Sequence, residues 1–350
     1  ASDKGRSDKN VQFAVFPSAS EVAGDRAVIT SFNATFLIGN DPTTNASTVY
    51  FIPYIGFGGQ YGFQLWPDIW LNKNSWNFKG EYFILNYPQN TWGLGGNTPE
   101  SNETLIDYQH LRIYQKVMKG ILPQLAIGIG YALDKHFNIT LEETVWYEEI
   151  KDYLPNDRNY SVSSGLILPI VYDSRRNSMN PQKGMLAQVN YSFYNTALGS
   201  ENNWQSLFID FRKYVRIIEN KKQILAFRSY YWTILSGKVP YLDLPAVRWE
   251  PTFGSASRGI AQSRYRSNAI VYYENEYRFP LTANGLIGGV VFASVTSVSQ
   301  YKSQNFMYWH PAAGFGFRLK FNKYSNTNVT LDFGFSKEYF SLYLNIGEVF

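Results

Sequence analysis

Apolar and polar residues alternate along most of this chain with a period of two, which is the pattern of a half-buried β-strand. From Gln124 to Leu133, leucine, isoleucine and tyrosine fill every second position, and small or polar residues lie between them. The alternation recurs from Met185 to Phe193, from Ala313 to Phe321 and from Val329 to Phe335. Turn-forming residues separate such runs. The sequence therefore predicts an all-β protein.

Runs of this kind occupy nearly the whole chain. We predict sixteen strands, at about 11–21, 27–39, 46–58, 60–72, 74–88, 104–119, 121–135, 159–172, 183–195, 204–217, 222–236, 268–280, 286–300, 308–321, 327–336 and 338–350. An even number of strands places both ends of the chain on one side of the sheet, and the longest connections, 92–103, 135–159 and 237–268, then lie on the other. We predict a short polar tail, 1–10, and a single domain, 11–350.

Two features favour a barrel that crosses a membrane over a large soluble β-sandwich, whose strands would alternate in the same way. The strands are about ten residues long or longer, as a tilted membrane-crossing strand must be. Aromatic residues cluster near strand ends, where a membrane barrel has interfacial girdles; they are Trp66, Trp70, Trp76, Tyr230, Tyr231, Trp232, Tyr308 and Trp309. We therefore predict a 16-stranded antiparallel transmembrane β-barrel.

Composition excludes several other classes of protein. The chain has no cysteine, and its net charge of +4 is scattered, so no nucleic-acid patch is predicted. It contains no phosphate loop and no zinc-ligand spacing. Its three histidines, His110, His136 and His310, lie outside any Gly-x-Ser-x-Gly context, so a lipase-type triad is not predicted. We predict no catalytic residue, no cofactor and no metal.

One loop stands out by its chemistry. Residues 251–260 are rich in glycine, serine and proline and carry a single arginine, Arg258. In the strand that follows, Glu274, Glu276 and Arg278 lie on one face, and aromatic residues occupy the other. We predict that the loop folds into the barrel and that Arg258 binds a carboxylate on that charged face. The alternative is a surface arginine in a mobile loop.

From about Val11 to Phe350 the chain resembles the BamA- and TamA-like outer-membrane biogenesis barrels of the bacterial surface-antigen superfamily. Four motifs carry the resemblance: a strand-turn-strand signature, a Val-Arg-Gly-aromatic motif on the loop that folds inward, the strand after that loop, and a terminal recognition signal. In this chain they are Tyr172–Asn177 with Pro181 and Gly184, then Ser257-Arg258-Gly259-Ile260, then Glu276–Leu281, and last Leu342–Phe350 with its terminal Phe350.

The resemblance implies that Arg258 contacts acids on the inner wall of the barrel and that Glu276 is the matching acid. This sequence departs from the family at Ser257 and Ile260, which replace a hydrophobic and an aromatic flank. It departs again at Ala293, where the next strand of the family has an aspartate.

Two other acids are candidates to replace the missing aspartate. Asp332 and Asp210 both lie on the polar side of their predicted strands. We therefore predict Glu276, Asp332 and Asp210 as the inner-wall partners of Arg258.

In the family, function is attributed to a weak seam between the first and last strands. Here Pro17 removes a ladder donor from the first predicted strand, and Gly347 weakens packing in the last one, close to Asn345. A seam short of hydrogen bonds can open toward lipid or pair with another strand. The alternative is that Pro17 precedes the strand and that the barrel closes normally.

The family normally carries POTRA domains before its barrel, and about ten residues precede the first predicted strand here. The resemblance therefore implies a barrel without POTRA domains in the outer membrane of a Gram-negative bacterium, acting in protein insertion, translocation or lipid handling. Its expected partners are outer-membrane lipids, unfolded outer-membrane protein clients, and either a second copy of the chain or a periplasmic protein. The alternative is a structural or pore-forming barrel without insertase activity.

Overall fold

The structure is a computed structural model. It describes residues 11–22, 25–39, 41, 44–142, 144, 146–154, 159–175, 177–218, 223–251, 256–322 and 327–350, except for the side chains of residues 11–29 and 321–322. The predicted tail, 1–10, lies outside the described residues.

The described chain forms one antiparallel sheet. Its strands are β1 (Val11–Val22), β2 (Asp25–Phe36), β3 (Ser47–Gly56), β4 (Tyr61–Trp70), β5 (Trp76–Asn86), β6 (Gln89–Thr91), β7 (Thr104–Leu122), β8 (Leu125–Leu141), β9 (Tyr160–Asp173), β10 (Gly184–Tyr194), β11 (Trp204–Ile218), β12 (Gln223–Gly237), β13 (Ala269–Pro280), β14 (Ile287–Val298), β15 (His310–Asn322), β16 (Thr327–Phe335) and β17 (Phe340–Ile346). Because β5 and the short β6 both pair with β7, they act as one interrupted strand. The predicted all-β fold of sixteen antiparallel strands is confirmed.

Helical structure is confined to the connections. The helix α1 (Tyr147–Ile150) is a single turn, and single 3₁₀ turns occur at Asn72–Asn74, Glu100–Asn102, Thr196–Leu198 and Tyr241–Asp243. Throughout the described residues, no helix is long and apolar enough to cross a membrane.

Most strands begin and end within a few residues of the prediction, but two differ in an informative way. β8 continues to Leu141, because β7 and β9 extend alongside it. β17 ends at Ile346, and Gly347 has a φ of +85°, which an extended strand does not allow. The prediction that Gly347 lies within the last strand is therefore wrong; it ends that strand.

The sheet exposes its apolar face and buries its charged face. Outward-facing Ile129 and Phe317 are 52% and 47% exposed, whereas inward-facing Asp210 and Arg228 are both 0% exposed. A soluble sandwich would bury the apolar face instead. Apolar side chains therefore surround an interior that is rich in charged groups.

The predicted aromatic clusters divide between the two faces. Trp76, Tyr308 and Trp309 are exposed on the outside. Tyr230 and Trp232, by contrast, are buried in the interior, where they pack with other residues of the core. The expectation that these two belong to an interfacial girdle is therefore wrong, because they lie on the inward-facing side of β12.

Connections from one end of the sheet fill the interior. The connection between β12 and β13, residues 238–268, is called the lumen loop here. Residues 252–255 of this loop are not among the described residues. Tyr241, Val247, Arg258 and Arg266 of this loop are all buried. Residues from the connections 87–103 and 142–159 pack against it in the same core.

The two edges of the sheet meet at one register position. Ser20 of β1 lies opposite Tyr343 of β17, whereas β1 and β2 are paired along their whole length. The sheet is therefore not closed by a full ladder of hydrogen bonds. Pro17 lies inside β1, opposite Thr30, so the alternative in which Pro17 precedes the strand is wrong.

Candidate functional site

The backbone of the lumen loop approaches the inner wall closely at a glycine of the wall. A Cβ atom added to Gly334 of β16 would lie 2.6 Å from the backbone nitrogen of Gly259. Gly259 has a φ of +92°, a left-handed conformation that glycine adopts without steric cost. Its amide donates a hydrogen bond to the Oγ of Ser341 on β17, at 3.0 Å. Close backbone contact thus requires glycine on both surfaces.

Arg258 lies at the centre of an acidic cluster on the wall. Its Nη1 donates to Oδ2 of Asp332 at 2.6 Å, and its Nη2 donates to Glu274 and Glu276. The guanidinium carbon lies 3.6 Å from the centre of the Phe292 ring. Charge-assisted hydrogen bonds and a cation–π contact therefore hold this one side chain in a site from which water is excluded.

The same acids also bind arginines of the wall. Glu276 accepts a hydrogen bond from Nε of Arg278 at 2.6 Å, and Asp332 pairs with Arg318. Burial by itself would lower the pKa of Arg258, but the three surrounding carboxylates raise that pKa well above its usual value. The guanidinium therefore stays charged, and withdrawing the loop would leave more acid than base on this part of the wall.

The residues that flank Arg258 are buried as well. Ser257 Oγ lies 3.0 Å from Oγ1 of Thr296 on β14, and Ile260 packs with Val247 and Tyr265 in an apolar core. Ser257 and Ile260 therefore both fit their surroundings. The hydroxyl of Ser257 lies beside another hydroxyl, and the aliphatic side chain of Ile260 lies in an apolar cluster.

A second acid–base group binds the loop to β11 and β12. Glu250 of the loop lies 3.6 Å from Nη2 of Arg228, and that nitrogen also donates to Asp210 at 3.3 Å. Asp210 accepts a further hydrogen bond from Arg212 at 2.6 Å. Burial raises the pKa of Glu250, and Arg228 acts against that rise. The structure thus places Asp210 with Arg212 and Arg228, and the expectation that it contacts Arg258 is corrected.

A third contact joins the loop to β8 and β9. Asp243 accepts a hydrogen bond from Oγ of Ser163 at 2.6 Å, and its other oxygen lies 3.7 Å from Nδ1 of His136. His136 stacks on His110, with ring centres 4.2 Å apart, and His110 lies 2.7 Å from Asp134. Burial, and then the charge of Asp134, raise the pKa of Asp243 well above its usual value.

A small cavity lies between this third contact and the wall. Its volume is about 40 Å³, and its lining includes His110, His136, Asp243 and Trp249. A water molecule needs roughly 10–15 Å³, so the cavity has room for a few waters. In the described part of the chain, no group of three or more His, Cys, Asp or Glu side chains is arranged to hold a metal ion.

Sequence reasoning missed two partners of Arg258. Glu274 lies on the same strand face as Glu276, so the alternation of β13 contained the signal for it. Phe292 was missed because the family aspartate was aligned with Ala293. Ala293 is exposed on the outside of β14, so it does not face Arg258, whereas its neighbour Phe292 faces inward.

The predicted seam and terminal residues lie in different surroundings. Asn345 pairs with Thr330 of β16, and its carbonyl oxygen accepts a hydrogen bond from Oγ1 of Thr330 at 3.3 Å. Phe350 is buried inside the sheet against Tyr214. The resemblance implied that Phe350 belongs to a terminal strand. That expectation is wrong, because β17 ends before Phe350.

No protein-family model matches this sequence, and no curated protein does. Solved structures match it over nearly its whole length. BamA from Haemophilus ducreyi, in a crystal structure lacking POTRA domains 1–3, has a TM-score of 0.62 at 13% identity, covering 97% of this chain and 70% of that one. This chain has the barrel fold of BamA.

CdiB structures share that fold. CdiB from Acinetobacter baumannii has a TM-score of 0.63 at 12% identity and covers 97% of this chain. CdiB from Escherichia coli has a TM-score of 0.60 at 10% identity and covers 98%. The present chain spans 60% and 63% of those CdiB chains, which is less than two thirds of their length.

Two acid–base groups, at Arg258 and Glu250, and the hydrogen bond between Ser163 and Asp243 fasten the lumen loop to different parts of the wall. Ion pairs and hydrogen bonds of this kind are exchangeable, since another charged segment can replace either partner. The arrangement holds the loop inside the barrel.

Proposed function

We propose that this chain is an outer-membrane barrel of a Gram-negative bacterium that acts in outer-membrane biogenesis through the seam between β1 and β17. The observation that carries the proposal is the single register pair between these strands, Ser20 with Tyr343. Every other neighbouring pair of long strands shares a ladder of seven or more positions in the described sheet. Separating β1 from β17 therefore costs less free energy than separating any other neighbouring pair of long strands in the described sheet.

The exposed apolar surface supports a membrane location. Large apolar side chains are exposed on many strands, and charged groups fill the interior. In water such a surface would cause association, whereas lipid chains solvate it. Exposed Trp76, Tyr308 and Trp309 have the amphipathic rings that favour the membrane–water interface.

Opening the seam would expose main-chain donors and acceptors on two strand edges. Such an edge can pair with a strand of another polypeptide, which is how a client would be guided into the membrane. Pro17 contributes no amide donor to β1, so this strand has fewer ladder donors than an ordinary one. We propose a non-enzymatic role, in which outer-membrane lipids and unfolded outer-membrane proteins are the clients and a second copy of the chain or a periplasmic protein assists.

The proposal is tested by closing the seam with a disulfide. The sequence has no cysteine, so the pair Ser20→Cys and Tyr343→Cys introduces the only two thiols. The matched control joins β1 to β2 with Ser18→Cys and Ile29→Cys, which lie opposite each other in a ladder that is already complete. Insertion of an unfolded outer-membrane protein into vesicles is measured for each oxidised and reduced protein.

We expect the seam disulfide to abolish insertion and reduction to restore it, while the control disulfide has no effect. Efficient bridging of the seam with full insertion activity would refute the seam mechanism. A disulfide that forms between two chains would instead support a dimer that shares the seam.

The alternative, a structural or pore-forming barrel, would be favoured by a large steady conductance. The three contacts of the lumen loop count against an open pore, since the loop is fastened to the inner wall at β9, β12 and β13.

A further inference from the structure

After β17 the chain turns into the interior of the barrel instead of continuing along the wall. The amide of Gly347 donates to the carbonyl oxygen of Asn328 at 2.8 Å, and the amide of Glu348 donates to that of Met179 at 2.9 Å. Residues 347–350, called the inner segment here, therefore cross the mouth of the barrel beside the connection between β9 and β10.

The carboxylate of Glu348 is bound by two arginines and an amide. Its Oε2 accepts a hydrogen bond from Nε of Arg318 at 2.8 Å and lies 3.7 Å from Nε of Arg278. Its Oε1 accepts a hydrogen bond from Nδ2 of Asn328 at 2.7 Å. The side chain is 2% exposed, so this is a desolvated carboxylate site.

The ring of Phe350 occupies an apolar pocket two residues further on. It packs with Tyr214, Ile224 and Ala226, and its centre lies 6.3 Å from that of Tyr214. Arg278 lies over the same ring at 5.4 Å and donates from Nη2 to the carbonyl oxygen of Phe350 at 2.9 Å. This pocket is on β11 to β13, up to six strands along the sheet from β17, so the segment connects β17 to a distant part of the wall.

The site holds the segment without using every donor. A cavity of about 60 Å³ adjoins Glu348 and is lined by Arg278, Arg318 and Lys320, among others. Nη1 of Arg278 is buried and has no hydrogen-bond partner among the described residues. The mouth therefore offers an unused N–H donor and space beyond what the inner segment takes up.

We propose that this mouth is an exchangeable peptide-binding site, specific for a carboxylate placed two residues before an aromatic ring, and that the inner segment is its resident occupant. The proposal rests on the proposed function, because only a barrel that handles polypeptides meets such a partner. The contacts recognise general features of a short peptide: a carboxylate, a ring, two amides and a carbonyl. None of them depends on the covalent link to β17.

Displacement of the inner segment would act on the seam. The segment is continuous with β17, whose outer edge faces β1, and it fastens the end of that strand to Arg318 and to the pocket of Phe350. A partner peptide that takes the site would release the end of β17 from the opposite wall. Binding at the mouth and opening of the seam would then be coupled.

The test uses the full chain in lipid nanodiscs and a fluorescent peptide of sequence Gly-Glu-Val-Phe. Affinity is measured by fluorescence anisotropy for the intact chain and for a variant whose own segment is disabled by Glu348→Gln and Phe350→Ala. We expect the variant to bind the peptide about tenfold more tightly, because its site is vacant. The matched control, Phe340→Ala, removes an exposed phenylalanine and should bind like the intact chain.

Peptide controls test the recognition rule on the same variant. The peptides Gly-Gln-Val-Phe and Gly-Glu-Val-Ala each remove one recognition element, and we expect each to bind about tenfold more weakly than Gly-Glu-Val-Phe. Equal affinity of the intact chain and the variant, or equal affinity for all three peptides, would overturn the proposal.

A second measurement covers the case in which the disabled variant does not fold. In the otherwise intact chain, Val349→Cys places a thiol on the buried inner segment. We expect excess Gly-Glu-Val-Phe to increase the rate of maleimide labelling about tenfold, whereas Gly-Gln-Val-Phe leaves it unchanged. A rate that does not respond to either peptide would contradict the exchange.

The two proposals fail separately. If the peptide binds and the seam disulfide leaves insertion intact, the peptide site stands and the biogenesis function fails. If the seam disulfide blocks insertion and the peptide does not bind, the function stands and the peptide site fails.

Discussion

Arg258 illustrates how a single side chain connects a loop to a wall. Its guanidinium contacts Glu274 and Glu276 on β13 and Asp332 on β16, and Phe292 of β14 covers one face of it. A planar group with five donors can serve several carboxylates at once, whereas an ammonium is a point charge. Arginine is therefore the residue that this position requires.

Replacing Arg258 with alanine should release the loop. Breaking a buried ion pair costs about 3–5 kcal/mol because the partner charges remain desolvated, and less where water can enter. We expect Arg258→Ala to lower the free energy of unfolding in denaturant by about 3 kcal/mol, and Arg258→Lys to recover only part of that loss.

The readout for the loop itself is a thiol at Ala256, which is buried. In the Ala256→Cys background, Arg258→Ala should increase the rate of maleimide labelling, and the exposed-residue control Lys302→Ala should not. Unchanged labelling in the arginine variant would mean that the remaining contacts hold the loop without it.

At the scale of the element, the sequence predicted the faces of β13 correctly and the end of β17 incorrectly. The alternation of β13 identified its charged, inward-facing side correctly, because side chains on a strand point to opposite faces in turn. The last nine residues have the composition of a strand, yet the ladder with β16 ends at Ile346. Gly347 permits a turn there, and the arginines at the mouth stabilise the turned segment through Glu348.

The ion pairs of Glu348 with Arg278 and Arg318 should weaken at low pH. Burial by itself would raise the pKa of Glu348, but Arg318 and Arg278 hold it below its usual value of 4.5. A carboxylate with a depressed pKa contributes stability that is complete above the unfolded pKa and is lost as the pH falls through the folded one.

The measurement compares the free energy of unfolding of the intact chain with that of Glu348→Gln as a function of pH. We expect the intact chain to be more stable at neutral pH and this advantage to shrink below pH 4.5. A difference that stays constant down to the acid limit would show that the charge of Glu348 does not hold the segment. Since both proteins share every other titrating group, the difference isolates this one.

At the scale of the whole molecule, the arrangement of apolar and charged groups is reversed relative to a soluble protein. The outer surface is apolar, and the interior contains a loop fastened by acid–base groups at Arg258 and Glu250 and by a hydrogen bond to Asp243. A barrel of sixteen strands has a wide interior, so its permeability depends on what fills it.

The filled interior predicts a low conductance. In a planar lipid bilayer we expect the intact chain to show little steady current, because the lumen loop and the inner segment obstruct the interior. Arg258→Ala should increase the frequency of open events, and Lys302→Ala should not. A large steady conductance of the intact chain would support the pore-forming alternative over the biogenesis function.

The sequence by itself determined the class of fold, the positions of the strands, and the face of β13 that would carry the partners of Arg258. These features depend on a local period of two and on turn residues, which any stretch of chain displays without reference to the rest. The loop motif around Arg258 was also recognisable, because its glycine and arginine are close together in sequence.

Only the tertiary structure decided which charges meet. Asp332 binds Arg258 while Asp210 binds Arg212 and Arg228, although both acids have the same local pattern. The choice depends on where distant strands stand around the sheet, and a shift of one residue moves a side chain to the opposite face, as Ala293 and Phe292 show. The inward turn at Gly347 was decided in the same way, since the arginines that bind Glu348 come from β13 and β15.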